Sequence, residues 1–193
     1  MISFIKIYFA QTFTPLIRYL HYLVIIFVLY QLLISNFIEV SDGGVIGSSV
    51  GEYYGTWSHI IIGLALLALA FVFIVIELSK HGCAYFYPYV FGDIDQLKAD
   101  IHQLKSLTFP KLQPKGLAAI IQGLGLGALF LVVMSGAAWF LFWWFGSPLA
   151  NDIKELHELF TGLIEAYIIG HGAIGMLHIF LTYRERKLSN KPH

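Results

Sequence analysis

LHELFTGLIEAYIIGHGAIGMLHIFLTY, residues 156–183, is the stretch that decides the fold of this chain. It contains no Lys or Arg, and it is longer than the roughly 20 residues that a helix needs to cross a bilayer. It also contains His157, His171 and His178. Ionisable residues inside a membrane are costly, and they commonly face the bundle interior, where they bind an ion, a proton or a cofactor. The stretch therefore predicts a spanning helix with a binding role for its histidines.

The three histidines follow the pattern H-x13-H-x6-H. Because each residue of an α-helix advances about 100° and 1.5 Å, His171 returns to within about 40° of His157 and lies roughly 21 Å further along. His178 returns to the same face within about 20°. Two imidazoles near opposite membrane surfaces indicate two stacked haems, whose other axial ligands must come from other helices.

The composition is that of an integral membrane protein, since the 193 residues are 58% hydrophobic and 12% charged, with a mean hydropathy of +0.72. We predict an all-α fold, a transmembrane four-helix bundle with a di-haem core, as a single domain over residues 1–193. The apolar composition predicts contact with membrane lipid. The zero net charge gives no indication of nucleic-acid binding, so we expect none. The four predicted helices cover about 15–37, 57–79, 116–145 and 154–183.

Basic residues predict the orientation of the bundle. Lys154 alone lies on one side of the predicted spans, and the other Lys and Arg lie before or at the start of the first span, after the second or after the fourth. By the positive-inside rule, both termini and the long middle loop are cytoplasmic. We expect no cleavable signal in MISFIKIYFAQ, and we expect residues 1–14 to lie at the membrane interface. Cys83, the single cysteine, excludes an intrachain disulfide and a cysteine-based metal cluster.

The connections between the spans differ in character. Residues 38–56 are rich in glycine and predict a flexible outer loop. Residues 93–107 have apolar side chains at helical spacing, which predicts an amphipathic helix on the inner membrane surface or against a partner. The third span has no histidine; its Gly123 and Gly127 suit close approach of a neighbouring helix, and we expect it to be a packing wall without a ligand.

Low-spin haem b in a bundle needs two axial imidazoles from facing helices at matching depth. His59 and His157 predict the outer pair. The inner pair needs His21 together with either His171 or His178; depth alone favours His178, and spacing leaves both open.

Further candidate residues lie near these histidines. Gly63 and Gly175 follow His59 and His171 by one turn, where a missing side chain leaves room for a flat macrocycle or for close helix packing. Arg18 is either an interfacial anchor or a cation for a haem propionate or quinone headgroup. Glu165 is either neutral and hydrogen-bonded or part of a proton path.

These motifs together resemble the prokaryotic cytochrome b561 family. They are RxxH in the first span, a histidine opening the second, none in the third and H-x13-H-x6-H in the fourth. That family is similar in turn to the b-type cytochrome subunits of nickel-iron hydrogenases and of membrane formate dehydrogenases. Residues 85–93 of this chain, YFYPYVFGD, resemble the inner loop of the hydrogenase-type cytochromes. The resemblance implies two haem b groups, with iron bound by His21 and His171 at the inner site and by His59 and His157 at the outer site. It leaves His178 as a quinone-side or proton-handling residue.

The resemblance also implies a function in the respiratory chain of a bacterial inner membrane. A periplasmic partner, either a c-type cytochrome or an oxidoreductase such as hydrogenase, exchanges electrons at the outer haem. The quinone pool exchanges them near the inner haem, where Arg18, His178 or Glu165 pairs electron and proton transfer. No residue is assigned a catalytic role, and whether the chain is itself an enzyme is left open.

Two alternatives accompany this interpretation. Some family members resemble superoxide:quinone oxidoreductases, but an anionic substrate favours a cationic outer surface, and Lys154 is outnumbered there by acidic residues. A transition-metal transporter would use intramembrane His and Glu, but its ligands should converge at one depth.

Overall fold

The computed structural model describes residues 14–41, 44–106, 110 and 113–189, with side chains described as far as residue 184. Within these residues the chain forms helices and no β-strand, apart from an isolated antiparallel bridge between Val40 and Ile46. The chain also contains short 3₁₀ turns at Ser35–Phe37 and Pro88–Phe91. The helices are α1 (Pro15–Ile34), α2 (Val50–His81), α3 (Cys83–Phe86), α4 (Asp95–Lys105), α5 (Leu117–Trp144) and α6 (Ala150–Ser189).

Four of these helices are long and apolar enough to cross a membrane, namely α1 with the 3₁₀ turn after it, α2, α5 and α6 as far as Arg184. This confirms the predicted all-α bundle of four spans. The two ends of the bundle are called outer and inner here, after the predicted orientation.

The second span begins at Val50, well before the predicted start near Trp57. Ser49 and Glu52 form a capping box, in which the Ser49 hydroxyl accepts from the Glu52 amide and the Glu52 carboxylate accepts from the Ser49 amide. These bonds satisfy amide groups that a helix start otherwise leaves without partners. The end of the predicted loop over 38–56 is therefore helical, despite its glycines.

The fourth span also exceeds its predicted limits of 154 and 183, since α6 covers Ala150–Ser189. Asp152 lies in its first turn, where a carboxylate interacts favourably with the helix dipole. At the other end, the residues after Tyr183 are mostly strong helix formers, so the helix continues beyond the apolar stretch.

Packing in the bundle is uneven. α5 packs most extensively on α6 and also on α2, and α1 packs on α2. Within the described residues, no comparably close backbone packing joins α6 to α1 or α2. A core cluster of buried side chains from all four spans lies between the two ends: Val24, Val28, Leu66, Ala70, Ala128, Leu129, Val132, Val133 and Ile164.

The amphipathic helix α4 is fixed to the start of α5 by a buried carboxylate. Asp100 is 2% exposed and accepts hydrogen bonds of 2.7 Å from the Leu117 amide and from Gln96 Nε2. The spacing of the apolar residues places Asp100 outside the apolar face of this helix, yet its side chain is buried. The carboxylate is buried because it caps the first turn of α5.

Some sequence predictions lie outside the described residues. These are the interfacial segment before Thr14, the apolar Leu107 at the end of the predicted amphipathic helix, and some charges used for the orientation or for the charge of the outer surface. The charges are Lys6, Asp42, Lys111 and Lys191, together with the side chains of Arg186 and Lys187.

Candidate functional site

The outer pair of histidines faces across the bundle from α2 and α6. The ring centroids of His59 and His157 are 6.2 Å apart, and the rings are inclined at 76°. Two imidazoles that bind one metal ion from opposite sides, through bonds of about 2.0–2.1 Å, have ring centres about 6 Å apart. The observed spacing therefore fits an iron between these two rings.

A second pair lies at the inner level, between α1 and α6. The ring centroids of His21 and His171 are 6.4 Å apart, with an inclination of 69°. The structure thus brings together the two residues that the family resemblance implies. His178 is half-buried further along α6, and its carbonyl accepts a 2.9 Å hydrogen bond from Thr182 Oγ1.

A cavity of about 470 Å³ adjoins the outer pair. Its size is within the range of about 300–1,000 Å³ that is usual for cofactor and ligand sites. All four spans line it, through residues that include Gln31, His59, Gly136 and His157. The space follows from the packing described above, because α6 stands away from α1 and α2.

Buried polar atoms at the outer level agree with a cofactor site. His59 Nδ1 and Gln31 Oε1 are buried and have no hydrogen-bond partner within the described residues. Gln31 Nε2 donates to the His59 carbonyl at 2.9 Å. Since buried polar atoms in proteins nearly always have a partner, these two indicate a bound group or water that completes the site.

The predicted glycines have different surroundings. Gly63 lines the cavity, and a Cβ there would be 3.1 Å from Gln31 Nε2, so this glycine leaves room for the amide. A Cβ on Gly175 would meet no atom within 4 Å, so open space adjoins the helix one turn after His171. Open space for a flat ligand against the helix is therefore present at Gly175, whereas at Gly63 the Gln31 amide lies next to the glycine.

The structure places the other predicted residues as follows. Arg18 lies one turn from His21, with its guanidinium carbon 5.8 Å from the ring centroid of Tyr19. Glu165 lies between the two histidine levels, about 12 Å of helix after His157 and about 9 Å before His171. It is among the residues that line the outer cavity.

Aromatic rings flank the inner pair, and sequence spacing alone does not identify them. The ring of Phe73 stacks on His21 at 6.2 Å, and that of Tyr167 stacks on His171 at 5.1 Å. Tyr167 fits against α5 because a Cβ at Gly125 would overlap its ring. The available signal was the position of Tyr167, one turn before a candidate ligand on the same helix face.

The third span does more than the predicted packing wall. Ser135 Oγ lies 3.1 Å from His157 Nδ1, and a Cβ at Gly136 would be 2.9 Å from His157 Cε1. Gly123, expected to allow close approach of a neighbouring helix, contacts Phe86 of the short helix α3. Its carbonyl also accepts a 2.7 Å hydrogen bond from the Tyr87 hydroxyl. The span has no histidine, yet it contacts one candidate ligand directly and holds Tyr167 against another.

The donor set fits haem better than a closed ion site. The histidines lie in facing twos, and no group of three or more His, Cys, Asp or Glu that could hold a metal ion occurs in the described part of the chain. Tetrahedral metal sites need three or four protein ligands at one point, whereas a haem iron needs two axial ligands. Paired imidazoles beside a large cavity meet the second requirement.

The comparison with known families agrees with this geometry. A family model described as prokaryotic cytochrome b561 matches residues 12–186. No curated protein and no solved structure matches the chain. Since the family model covers nearly the whole sequence, the chain belongs to the prokaryotic cytochrome b561 family and is a haem-b-binding membrane cytochrome of electron transfer.

Proposed function

We propose that this protein is a di-haem cytochrome that transfers electrons across the bacterial inner membrane, between the quinone pool and a periplasmic redox partner. His59 and His157 would bind the outer haem, and His21 and His171 the inner one. The observation that supports this most strongly is the presence of two facing imidazole pairs, with centroid spacings of 6.2 and 6.4 Å. α6 contributes one ring to each pair.

Haem b supplies reversible one-electron chemistry, with a potential that depends on its axial ligands, their hydrogen bonds and burial. The protein's own contribution is to hold each imidazole in place and to exclude water from the space between the two levels. The apolar core cluster performs the second task, since side chains from all four spans meet there.

Quinone exchange is proposed at the inner level. Arg18 lies one turn from His21 and supplies a cation near the membrane surface. His178 lies two turns beyond His171 and supplies an imidazole, a side chain that can donate or accept a hydrogen bond. These two side chains would bind the quinone headgroup and exchange its protons.

A cationic partner is proposed at the outer surface. Glu39, Asp152, Glu155 and Glu158 are exposed there. Lys154 Nζ donates to the Val40 carbonyl at 3.3 Å and lies 4.0 Å from the Glu158 carboxylate, so its charge is partly compensated. An acidic surface beside the outer histidines would attract the basic face of a c-type cytochrome or of an oxidoreductase such as hydrogenase.

The experiment is a haem analysis of the purified protein followed by quinol reduction. We expect two haem b per chain and sharp low-spin bands after reduction with dithionite. In a separate sample of the oxidised protein, a quinol analogue should reduce the haems without any partner protein. A colourless protein, or one haem per chain, would contradict the proposal. Rapid reduction by superoxide in the absence of a partner would favour the superoxide:quinone oxidoreductase instead.

A further inference from the structure

We propose that Ser135, in the middle of α5, is a positioning residue that orients the outer ligand His157 and lowers the potential of the haem bound there. This inference rests on the proposed function, because it assumes that His157 binds haem iron. Ser135 is 6% exposed, and its Oγ lies 3.1 Å from His157 Nδ1. The contact joins the one span without a histidine to a candidate ligand.

The direction of this hydrogen bond follows from the other contact of the serine. Ser135 Oγ also donates to the Val132 carbonyl at 3.0 Å. A hydroxyl has a single hydrogen, so toward His157 its oxygen acts as the acceptor. Nδ1 of His157 therefore holds the proton, and Nε2 has the free lone pair that a metal ion requires.

The two outer histidines differ in this respect. His59 Nδ1 has no hydrogen-bond partner within the described residues, whereas His157 Nδ1 has Ser135. Gly136 completes the arrangement, because any side chain there would press on the His157 ring. Ser135 and Gly136 thus both contact this imidazole from α5, Ser135 through its hydroxyl and Gly136 by leaving room for the ring.

A hydrogen bond from the second ring nitrogen makes an imidazole a more basic ligand. A more basic ligand stabilises ferric iron more than ferrous iron, which lowers the reduction potential. The contact of Ser135 with His157 should therefore give the outer haem a lower reduction potential than a haem whose two axial imidazoles lack such a hydrogen bond.

The test is a redox titration of the purified full-length protein and of its Ser135→Ala and Ser135→Thr variants. For Ser135→Ala we expect the reduction potential of the outer haem to rise by about 59 mV. This value corresponds to a tenfold change in the equilibrium between ferric and ferrous haem for one electron. The inner potential should stay unchanged. Ser135→Thr should restore the wild-type value, since a helical threonine hydroxyl can make the same bond to a preceding carbonyl. The His59→Ala variant identifies which component of the titration is the outer haem.

Thr182→Ala is the matched control, because it removes a helical hydroxyl that bonds a carbonyl at the inner end, and it should leave the outer potential unchanged. An unchanged or lower outer potential in Ser135→Ala, or an equal shift of both haems, would overturn the inference while leaving the di-haem proposal intact. If Ser135→Ala loses the outer haem, haem content becomes the readout. Recovery in Ser135→Thr then supports the inference, and equal loss overturns it.

Discussion

The side chain of Tyr167 on α6 contacts both the candidate ligand His171 and the neighbouring helix α5. Its ring lies parallel to that of His171, with an inclination of 15° and a centroid distance of 5.1 Å. On the opposite side it occupies space that only a glycine at position 125 leaves free. The position of the Tyr167 ring against His171 therefore depends on the absence of a side chain at position 125.

Replacing that glycine should disturb the inner site. In Gly125→Ala the new methyl group overlaps the Tyr167 ring, and overpacking of this kind costs about 1–3 kcal/mol. We expect a lower thermal unfolding temperature and a weaker inner haem component in the reduced spectrum. Gly127→Ala is the control, because its Cβ would be 3.8 Å from the Tyr87 hydroxyl, an ordinary contact. Equal stability of the two variants would contradict this account.

The inner ligand can be identified by separate alanine variants of the two candidate histidines. His171→Ala should lose one of two haems, because His171 is the residue whose ring faces His21. His178→Ala should keep both haems and instead slow the reduction by quinol. The measurement is haem content per chain together with the quinol rate. Loss of a haem in His178→Ala alone would reverse the assignment.

At this scale, spacing and depth predict the outer pair but leave the inner ligand of α6 open between His171 and His178, and only the family resemblance favours His171. Helical periodicity places His157 and His171 at two levels on one face, and depth pairs His157 with His59. It does not identify Ser135 or Tyr167, because their roles depend on how far α5 is rotated and how closely it approaches α6. Such distances follow from packing between residues remote in sequence.

At the scale of helices, the carboxylate of Asp100 attaches α4 to the start of α5. Asp100→Asn should weaken this attachment, since an amide offers one acceptor where the carboxylate accepts two bonds. Losing a buried bond to a charged acceptor costs about 1.5–3 kcal/mol, so the unfolding temperature should fall. Near-wild-type stability would mean that the cap contributes little.

Asp95→Asn is the matched control for that substitution. Its carboxylate lies in the same helix, 3.7 Å from Lys98 Nζ, and is 94% exposed. Exposed ion pairs of this kind contribute about 0–1 kcal/mol. We expect the control to unfold close to the wild-type temperature in the same thermal assay, which separates the effect of the buried cap from that of a lost charge.

The number and type of the spanning elements follow from the sequence, but their ends do not. Apolar length predicts all four spans, because the bilayer requires it. The early start of α2 depends on the capping box of Ser49 and Glu52, which outweighs the glycines after it. Asp100 shows a similar limit, since helical periodicity describes the faces of α4 without showing which face the start of α5 covers.

For the molecule as a whole, Cys83 provides a test of the proposed orientation. It is exposed, lies just beyond α2 at the inner end, and is the single cysteine of the chain. A membrane-impermeant maleimide should therefore label it in inverted vesicles and fail to label it in right-side-out spheroplasts. The positive-inside distribution of Lys and Arg is the physical basis of this expectation.

The control for the labelling experiment reverses its outcome. Ser48 is exposed in the loop before α2, at the opposite end of the bundle. In a Cys83→Ser background, Ser48→Cys should be labelled in spheroplasts and protected in sealed inverted vesicles. Labelling of Cys83 from the periplasmic side would reverse the proposed topology, and the sites of quinone and partner exchange would change sides with it.

The distance that α6 keeps from α1 and α2 has a consequence for biogenesis. α6 packs extensively on α5, but within the described residues no comparably close backbone packing joins it to α1 or α2, and the facing histidine pairs lie across that gap. We therefore expect newly inserted chains to remain open until porphyrin arrives, so that iron starvation leaves a half-assembled form for membrane proteases to degrade. Cellular abundance of the protein would then follow the supply of its prosthetic group.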